Sequence, residues 1–184
     1  MPFVSDLRIM DMPRVQAILD TLCFAENMQA IEDAECDRTF CRHGLPHVLD
    51  VARVAWILNL ERGLSMNREV VYAASLLHDI GRAAQYQNGE DHDVAGARLA
   101  GEILDALPEG VRFSPAERAD IIEAVRGHRG RGFRILDAPA DEGEAFGLGT
   151  LIAEADHVSR PCFACSVQGA CYWPEERKNL RIRI

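Results

Sequence analysis

Residues 73–82 read AASLLHDIGR, and this stretch decides how the chain is interpreted, because a histidine and an aspartate end a strongly apolar segment. Val71, Ala74 and His78 have helical spacing, so the imidazole lies at the end of a face that points into the core. A buried imidazole or carboxylate requires a polar partner. The stretch therefore predicts a helix that delivers His78 and Asp79 to a buried polar site.

The same pattern occurs at four other places in the chain. His47 and His92 each begin an apolar helical stripe, whereas His128 and Asp156 each end one. A single such histidine is most simply explained as a core residue bonded to a carbonyl. Several together are hard to satisfy by hydrogen bonds alone, so the set predicts a shared cation. Mixed imidazole and carboxylate ligands are typical of Fe, Mn, Co, Ni or Zn.

Two further histidines fit this pattern less well. His157 adjoins Asp156 and should point about 100° away from it on the same helix, which predicts a structural or exposed side chain. His43 lies four residues before His47 in a connecting segment. It is interpreted either as a structural residue or as a support for the ligand that follows it.

Helical periodicity extends over most of the chain, and no segment alternates convincingly like a strand. We expect helices at about 11–35, 46–62, 67–81, 91–107, 115–127 and 144–159, with an exposed loop at 130–143. Ser114, Pro115 and Glu117 have the spacing of a capping box. The pattern predicts a single all-α domain over 1–184, with an N-terminal helix at 11–35, a core of about 40–160 and an irregular Cys-rich tail at 160–184.

Composition narrows the classes of partner. The 184 residues carry a net charge of -9 and are 48% hydrophobic, a composition typical of globular proteins. The acidic charge argues against binding to a nucleic-acid polymer, and no segment has the apolar length of a membrane span. No secretory signal is recognised at the N-terminus, so we expect a cytoplasmic protein with a small-molecule ligand. The sequence leaves open whether the chain forms a homo-oligomer.

Four cysteines suggest a second site. Cys162, Cys165 and Cys171 are closely spaced just after Asp156, and Cys41 shortly precedes His47. Four thiolates can bind structural zinc or hold an Fe–S cluster. The alternative is that they are small, reduced core residues.

The segments HVLDVARVA (47–55), AASLLHDIGR (73–82) and LIAEADHVSR (151–160) resemble the HD-domain superfamily of metal-dependent phosphohydrolases. The resemblance implies an all-α bundle of about six helices, in which His47, His78, Asp79 and Asp156 bind metal. His92 and His128 match the extra histidines of subfamilies that bind two metals, where Asp79 would bridge the ions. The Cys-rich tail is similar to that of an uncharacterised bacterial subgroup.

The resemblance implies hydrolysis of a nucleotide or another small phosphorylated metabolite by a metal-activated water. Asp79 would orient the water, and Arg82, Arg129 and Arg131 are the candidates to stabilise the phosphate. Two alternatives stay open. One is a di-iron HD-type oxygenase, and the other is a non-catalytic module that senses metal or redox state.

Overall fold

The computed structural model describes residues 11–128 and 146–182, and these residues form an all-α fold. The α-helices, in chain order, are α1 (Pro13–Leu19), α2 (Leu22–Ala34), α3 (Leu45–Glu61), α4 (Arg68–Leu77), α5 (Arg82–Asn88), α6 (His92–Asp105), α7 (Pro115–Gly127) and α8 (Leu148–Val158). Short 3-10 helices occur at Glu109–Val111, Cys162–Ala164, Gln168–Ala170 and Glu175–Arg177. The predicted fold class is confirmed, and no strand occurs within these ranges.

Two predicted helices are wrong in their extent. The N-terminal helix at 11–35 is two helices, because Thr21 caps α2 by accepting a hydrogen bond from the Phe24 amide at 3.2 Å. The helix expected at 67–81 ends at Leu77, and Arg82 begins the short α5. A compact turn that contains the HD pair separates them.

The last predicted helix and the loop before it are only partly described. Residues 129–145 lie outside the described ranges, and with them the expected loop at 130–143 and the expected helix start at 144. The described helix, α8, begins at Leu148.

Helix packing brings several helix ends to one place. The helix α3 packs against both α4 and α8, while α7 packs against α4, α6 and α8. Leu76, Ile103, Ile121 and Ile152 are completely buried between these helices. Because each of the helices carries a predicted ligand near one of its ends, this packing gathers the ligands together.

Side chains cap two of the helices. Ser114 forms the expected capping box with Glu117, and Asn67 caps α4 by accepting hydrogen bonds from the backbone amides of Glu69 and Val70. Within the described ranges no helix is both long and apolar enough to cross a membrane.

Gly81 allows two functional segments to approach closely. A Cβ atom on Gly81 would lie 2.0 Å from the carbonyl oxygen of His92 and 2.3 Å from the amide nitrogen of Gly96. Both contacts are with backbone, which cannot rotate away as a side chain can. The glycine after His78-Asp79-Ile80 is therefore required for α6 to lie against this turn.

We predict that Gly81→Ala lowers the free energy of unfolding by about 1–3 kcal/mol, because the added methyl group forces α6 away from the turn. Thermal unfolding measures the effect. Gly110→Ala is the matched control, since a Cβ there would meet nothing within 4 Å. Equal stability of the two variants would contradict the close packing of α6 against the turn at Gly81.

Candidate metal centre

The structure brings all six predicted ligands together in two groups. His47, His78 and Asp156 form one group, and Asp79, His92 and His128 form the other. Within each group the ligand atoms lie within 4.8 Å of one another. These are the groups of three or more His, Cys, Asp or Glu found within the described ranges.

Asp79 belongs to the second group and also faces the first. Its Oδ2 is 3.2 Å from His78 Nε2 and 3.9 Å from His47 Nε2. Its Oδ1 is 3.7 Å from His128 Nε2 and 3.9 Å from His92 Nε2. One carboxylate oxygen therefore faces each group, which is the arrangement that a bridging ligand requires.

Backbone carbonyls orient two of the imidazoles. His78 Nδ1 donates to the Ser75 carbonyl at 2.6 Å, and His128 Nδ1 donates to the Val125 carbonyl at 2.6 Å. Both histidines follow the last residue of a helix, so a carbonyl three residues earlier is within reach. A proton held on Nδ1 leaves the Nε2 lone pair directed at the site, as metal ligation requires.

Buried polar atoms show that a cation fits this centre. His78 and Asp79 are 0% and 1% exposed. His78 Nε2 and Asp79 Oδ2 are not aligned to hydrogen bond with each other, and neither has another hydrogen-bond partner among the described residues. Such atoms are costly to bury unless something binds them. A divalent metal ion satisfies an imidazole nitrogen and a carboxylate oxygen at once.

The protonation states of Asp79, Asp156 and His47 suit metal binding, whereas Asp79 raises the pKa of His78 against the effect of burial, so a metal ion would displace a proton from that ring. Burial opposes ionisation of Asp79, but His78 and Arg82 outweigh it and hold the pKa of Asp79 well below its usual range. Burial likewise opposes ionisation of Asp156, whose pKa is nevertheless lowered by Arg160 and His47. Burial lowers the pKa of His47 to about 4. At neutral pH both carboxylates are ionised and His47 is neutral, which are the forms that bind metal.

Arg160 is a site residue that the sequence reasoning missed. Its Nη2 donates to Asp156 Oδ1 at 2.8 Å and lies 2.9 Å from His47 Nε2, and the side chain is buried. Arg160 follows the end of α8 at Val158, and its i, i+4 spacing from Asp156 is the signal that could have found it.

Of the predicted phosphate-binding arginines, only Arg82 lies within the described residues. Its Nε donates to Asp79 Oδ1 at 2.7 Å, so the guanidinium is held at the edge of the centre. Arg129 and Arg131 lie outside the described ranges.

The centre adjoins a cavity of about 830 Å³. The segment 38–47 forms part of its wall, and the tail after α8 forms another part. His47, Asp156, Arg82 and Arg160 line it on the side of the centre.

The four cysteines of the predicted thiolate site all line this cavity: Cys41, Cys162, Cys165 and Cys171. They are unbridged, and no cysteine belongs to either of the ligand groups found in the described ranges. Zinc or an Fe–S cluster at these thiols stays a prediction.

His157 and His43 have different surroundings. The His157 ring stacks on Trp173 with ring centroids 5.4 Å apart, so this histidine joins α8 to the tail. His43 is buried beside His47, with ring centroids 5.7 Å apart, and its Nδ1 donates to Glu35 Oε1 at 2.5 Å.

Taken together, the fold and the site define an all-α protein with paired His/Asp groups suited to divalent metal. The HD domain family model matches residues 44–160, a range that includes all six predicted ligands. The chain therefore belongs to the HD domain family, as the sequence motifs indicated.

The chain is also similar to two proteins with which it can be compared over most of its length. An uncharacterised protein of Clostridium beijerinckii is 34% identical over 171 residues, which are 93% of this chain and 99% of that protein. A crystal structure of a predicted HD superfamily hydrolase from an uncultured Thermotogales bacterium aligns with a TM-score of 0.54 and 21% identity. The alignment covers 85% of this chain and 81% of that one, and it supports the fold.

We predict that Asp79→Asn removes bound metal, because the neutral amide cannot offer a charged oxygen to both groups. The measurement is metal content per chain after purification without chelator. If the variant retained the wild-type metal content, Asp79 would not be a metal ligand.

His157→Ala is the matched control for that measurement. It deletes a buried histidine next to Asp156, so it should lower thermal stability through loss of the Trp173 stack while metal content stays unchanged. Cys165→Ser measured alongside tests the thiolate site, since only a metal bound by thiolates would be lost from that variant.

Proposed function

We propose that the protein is a metal-dependent phosphohydrolase that acts on a nucleotide or another small phosphorylated metabolite. Membership of the HD domain family supports a metal-dependent hydrolase in general. The observation that carries the finer proposal is that Asp79 faces both ligand groups, next to a cavity that His47, Asp156, Arg82 and Arg160 line.

A divalent metal bound here would supply Lewis acidity and a water of lowered pKa. We propose one or two ions of Fe, Mn, Co, Ni or Zn, with His47, His78 and Asp156 on one side of Asp79. His92 and His128 lie on its other side.

Arg82 and Arg160 are the groups proposed to bind the phosphate. Arg82 uses Nε to bond Asp79, and its two terminal nitrogens donate to no other group among the described residues. Arg160 uses Nη2 to bond Asp156, and its Nη1 is 3.3 Å from the Arg42 carbonyl. Donors fixed in this way can bind phosphate oxygens and stabilise charge that develops on them.

The cavity favours a small substrate. Its volume of about 830 Å³ is within the range of pockets that bind small molecules and cofactors. The net charge of -9 gives no support to a nucleic-acid polymer as substrate.

We predict that Arg82→Gln lowers kcat for phosphate release roughly 100-fold, since one preorganised donor to the phosphate is removed. The measurement is phosphate release from a panel of nucleotides and sugar phosphates, with metal content checked in parallel. Arg98→Gln is the matched control, because Arg98 is exposed and pairs with Glu90 and Glu102 on the outer surface.

Different results would favour the alternatives. Oxygen consumption by an iron-loaded protein that releases no phosphate would favour a di-iron oxygenase. Metal binding without any turnover would favour a sensing module. An Arg82→Gln variant with unchanged kcat would contradict the assigned role of that residue.

A further inference from the structure

Cationic side chains line the cavity beside the metal centre: Arg38, Arg42, Arg82, Arg160 and Lys178. Some of them contact carboxylates, namely Arg38 with Glu35, Arg82 with Asp79 and Arg160 with Asp156. The other two, Arg42 and Lys178, form no ion pair with any described residue, although both make hydrogen bonds. Their charge is therefore not neutralised by the part of the chain that the structure describes.

Each of these two cations is held in place by a neutral backbone carbonyl. Arg42 Nη2 donates to the Cys36 carbonyl at 2.7 Å, and Lys178 Nζ donates to the Gln168 carbonyl at 3.1 Å. Arg42 keeps the N–H groups of Nε and Nη1 for another acceptor, and the Lys178 ammonium keeps further N–H groups. Both side chains are thus oriented, charged and able to bind an additional anion.

Arg160 connects both cations to the metal centre. Its Nη2 donates to Asp156 Oδ1 at 2.8 Å, and its Nη1 donates to the Arg42 carbonyl at 3.3 Å. The Arg160 carbonyl accepts a hydrogen bond from Asn179 Nδ2 at 3.1 Å, and Asn179 directly follows Lys178. Arg42, on the segment 38–47, and Lys178, on the tail, are therefore positioned by the residue that contacts the predicted ligand Asp156.

The carboxylates of the cavity do not provide a counter-ion for this pair. They are Glu32, Glu35, Asp50 and Asp156. Glu35 and Asp156 contact the arginines named above, and Asp50 pairs with Arg53 at 3.2 Å. No ion pair joins Glu32, which is exposed, to Arg42 or Lys178. In a chain with a net charge of -9, two such cations on one cavity indicate a place for an anionic ligand.

We infer that Arg42 and Lys178 form a second anion subsite, and that the substrate carries two phosphoryl groups. One phosphoryl group lies at the metal centre, and the other accepts hydrogen bonds from Arg42 and Lys178. The substrate class is then a diphosphate or a bisphosphate rather than a monophosphate. This inference rests on the proposed phosphohydrolase function, whose substrate it narrows.

A phosphoryl group suits this subsite better than a carboxylate does. A terminal phosphoryl group carries about two negative charges near neutral pH and offers three acceptor oxygens. Two cations with several N–H donors complement that charge and that number of acceptors. Arg42 and Lys178 are accordingly assigned to substrate specificity, whereas Arg82 and Arg160 contact the phosphoryl group at the metal centre.

Non-hydrolysable phosphonates measure this binding without turnover. Propylphosphonate and propane-1,3-diphosphonate differ only in the second phosphonate group. Methylenediphosphonate carries both groups on one carbon, so it represents a diphosphate, whereas propane-1,3-diphosphonate represents a bisphosphate. Isothermal titration calorimetry of the full-length, manganese-loaded protein gives the affinities. Extraction of metal by a diphosphonate would affect wild type and variants alike, so the difference between the proteins isolates the subsite.

We expect wild type to bind at least one diphosphonate roughly tenfold more tightly than propylphosphonate, because of the added charge-assisted hydrogen bonds. Arg42→Gln and Lys178→Gln should each lose most of this preference while binding propylphosphonate as wild type does. Equal affinity of wild type for propylphosphonate and both diphosphonates, or an unchanged preference in both variants, would overturn the inference.

Arg112→Gln is the matched control for the loss of one positive charge. Arg112 also donates to a backbone carbonyl, that of Leu107 at 2.9 Å, and it forms no ion pair with a described residue. It does not line the cavity. We expect Arg112→Gln to keep the wild-type preference. An equal loss of preference in Arg112→Gln would show a general charge effect and would overturn the inference.

Phosphate release separates this inference from the proposed function. The matched substrates are AMP with ADP, and fructose 6-phosphate with fructose 1,6-bisphosphate. We expect a lower KM for the member with two phosphoryl groups, and Arg42→Gln should raise that KM roughly tenfold while kcat changes by less than about twofold. If no substrate is hydrolysed but the diphosphonate preference depends on Arg42 and Lys178, the proposed function fails and the subsite stands. If both members of each pair are hydrolysed with equal KM, the inference fails and the proposed function stands.

Discussion

The buried carboxylate of Asp79 is the constraint on which the rest of the structure depends. An ionised carboxylate that is 1% exposed is stable only if surrounding groups offset its loss of hydration. Arg82 donates to one oxygen at 2.7 Å, and imidazole nitrogens approach both oxygens. Those imidazoles come from different helices, so the need to surround one charge determines where α3 and α6 begin and where α4 and α7 end.

Much of this arrangement could be predicted because it follows from the helical periodicity of the apolar residues. A ligand at the end of an apolar stripe must point into the core, and that argument found His47, His78, His92, His128 and Asp156. The capping box at Ser114 was equally predictable, since its spacing is local. The HD motifs then indicated the family, which the match over residues 44–160 confirms.

Features that depend on contacts between distant segments could not be predicted in the same way. Nothing in the spacing of Glu35, His43 and Tyr86 indicates that one carboxylate accepts hydrogen bonds from both partners. The break between α1 and α2 at Thr21 was missed because the apolar pattern continues across it. The feature that marks the start of α2 is a single capping hydroxyl group. Arg160 was overlooked as one arginine among many, although its spacing from Asp156 was visible.

The most direct test of the account is the location of bound metal by anomalous scattering from crystals of the protein grown with Mn²⁺. We predict anomalous density beside Asp79, bounded by His47, His78 and Asp156 on one side or by His92 and His128 on the other. Density on both sides would show that Asp79 bridges two ions. Density only at the cysteines of the cavity, or none near Asp79 in a protein that binds manganese in solution, would contradict the account.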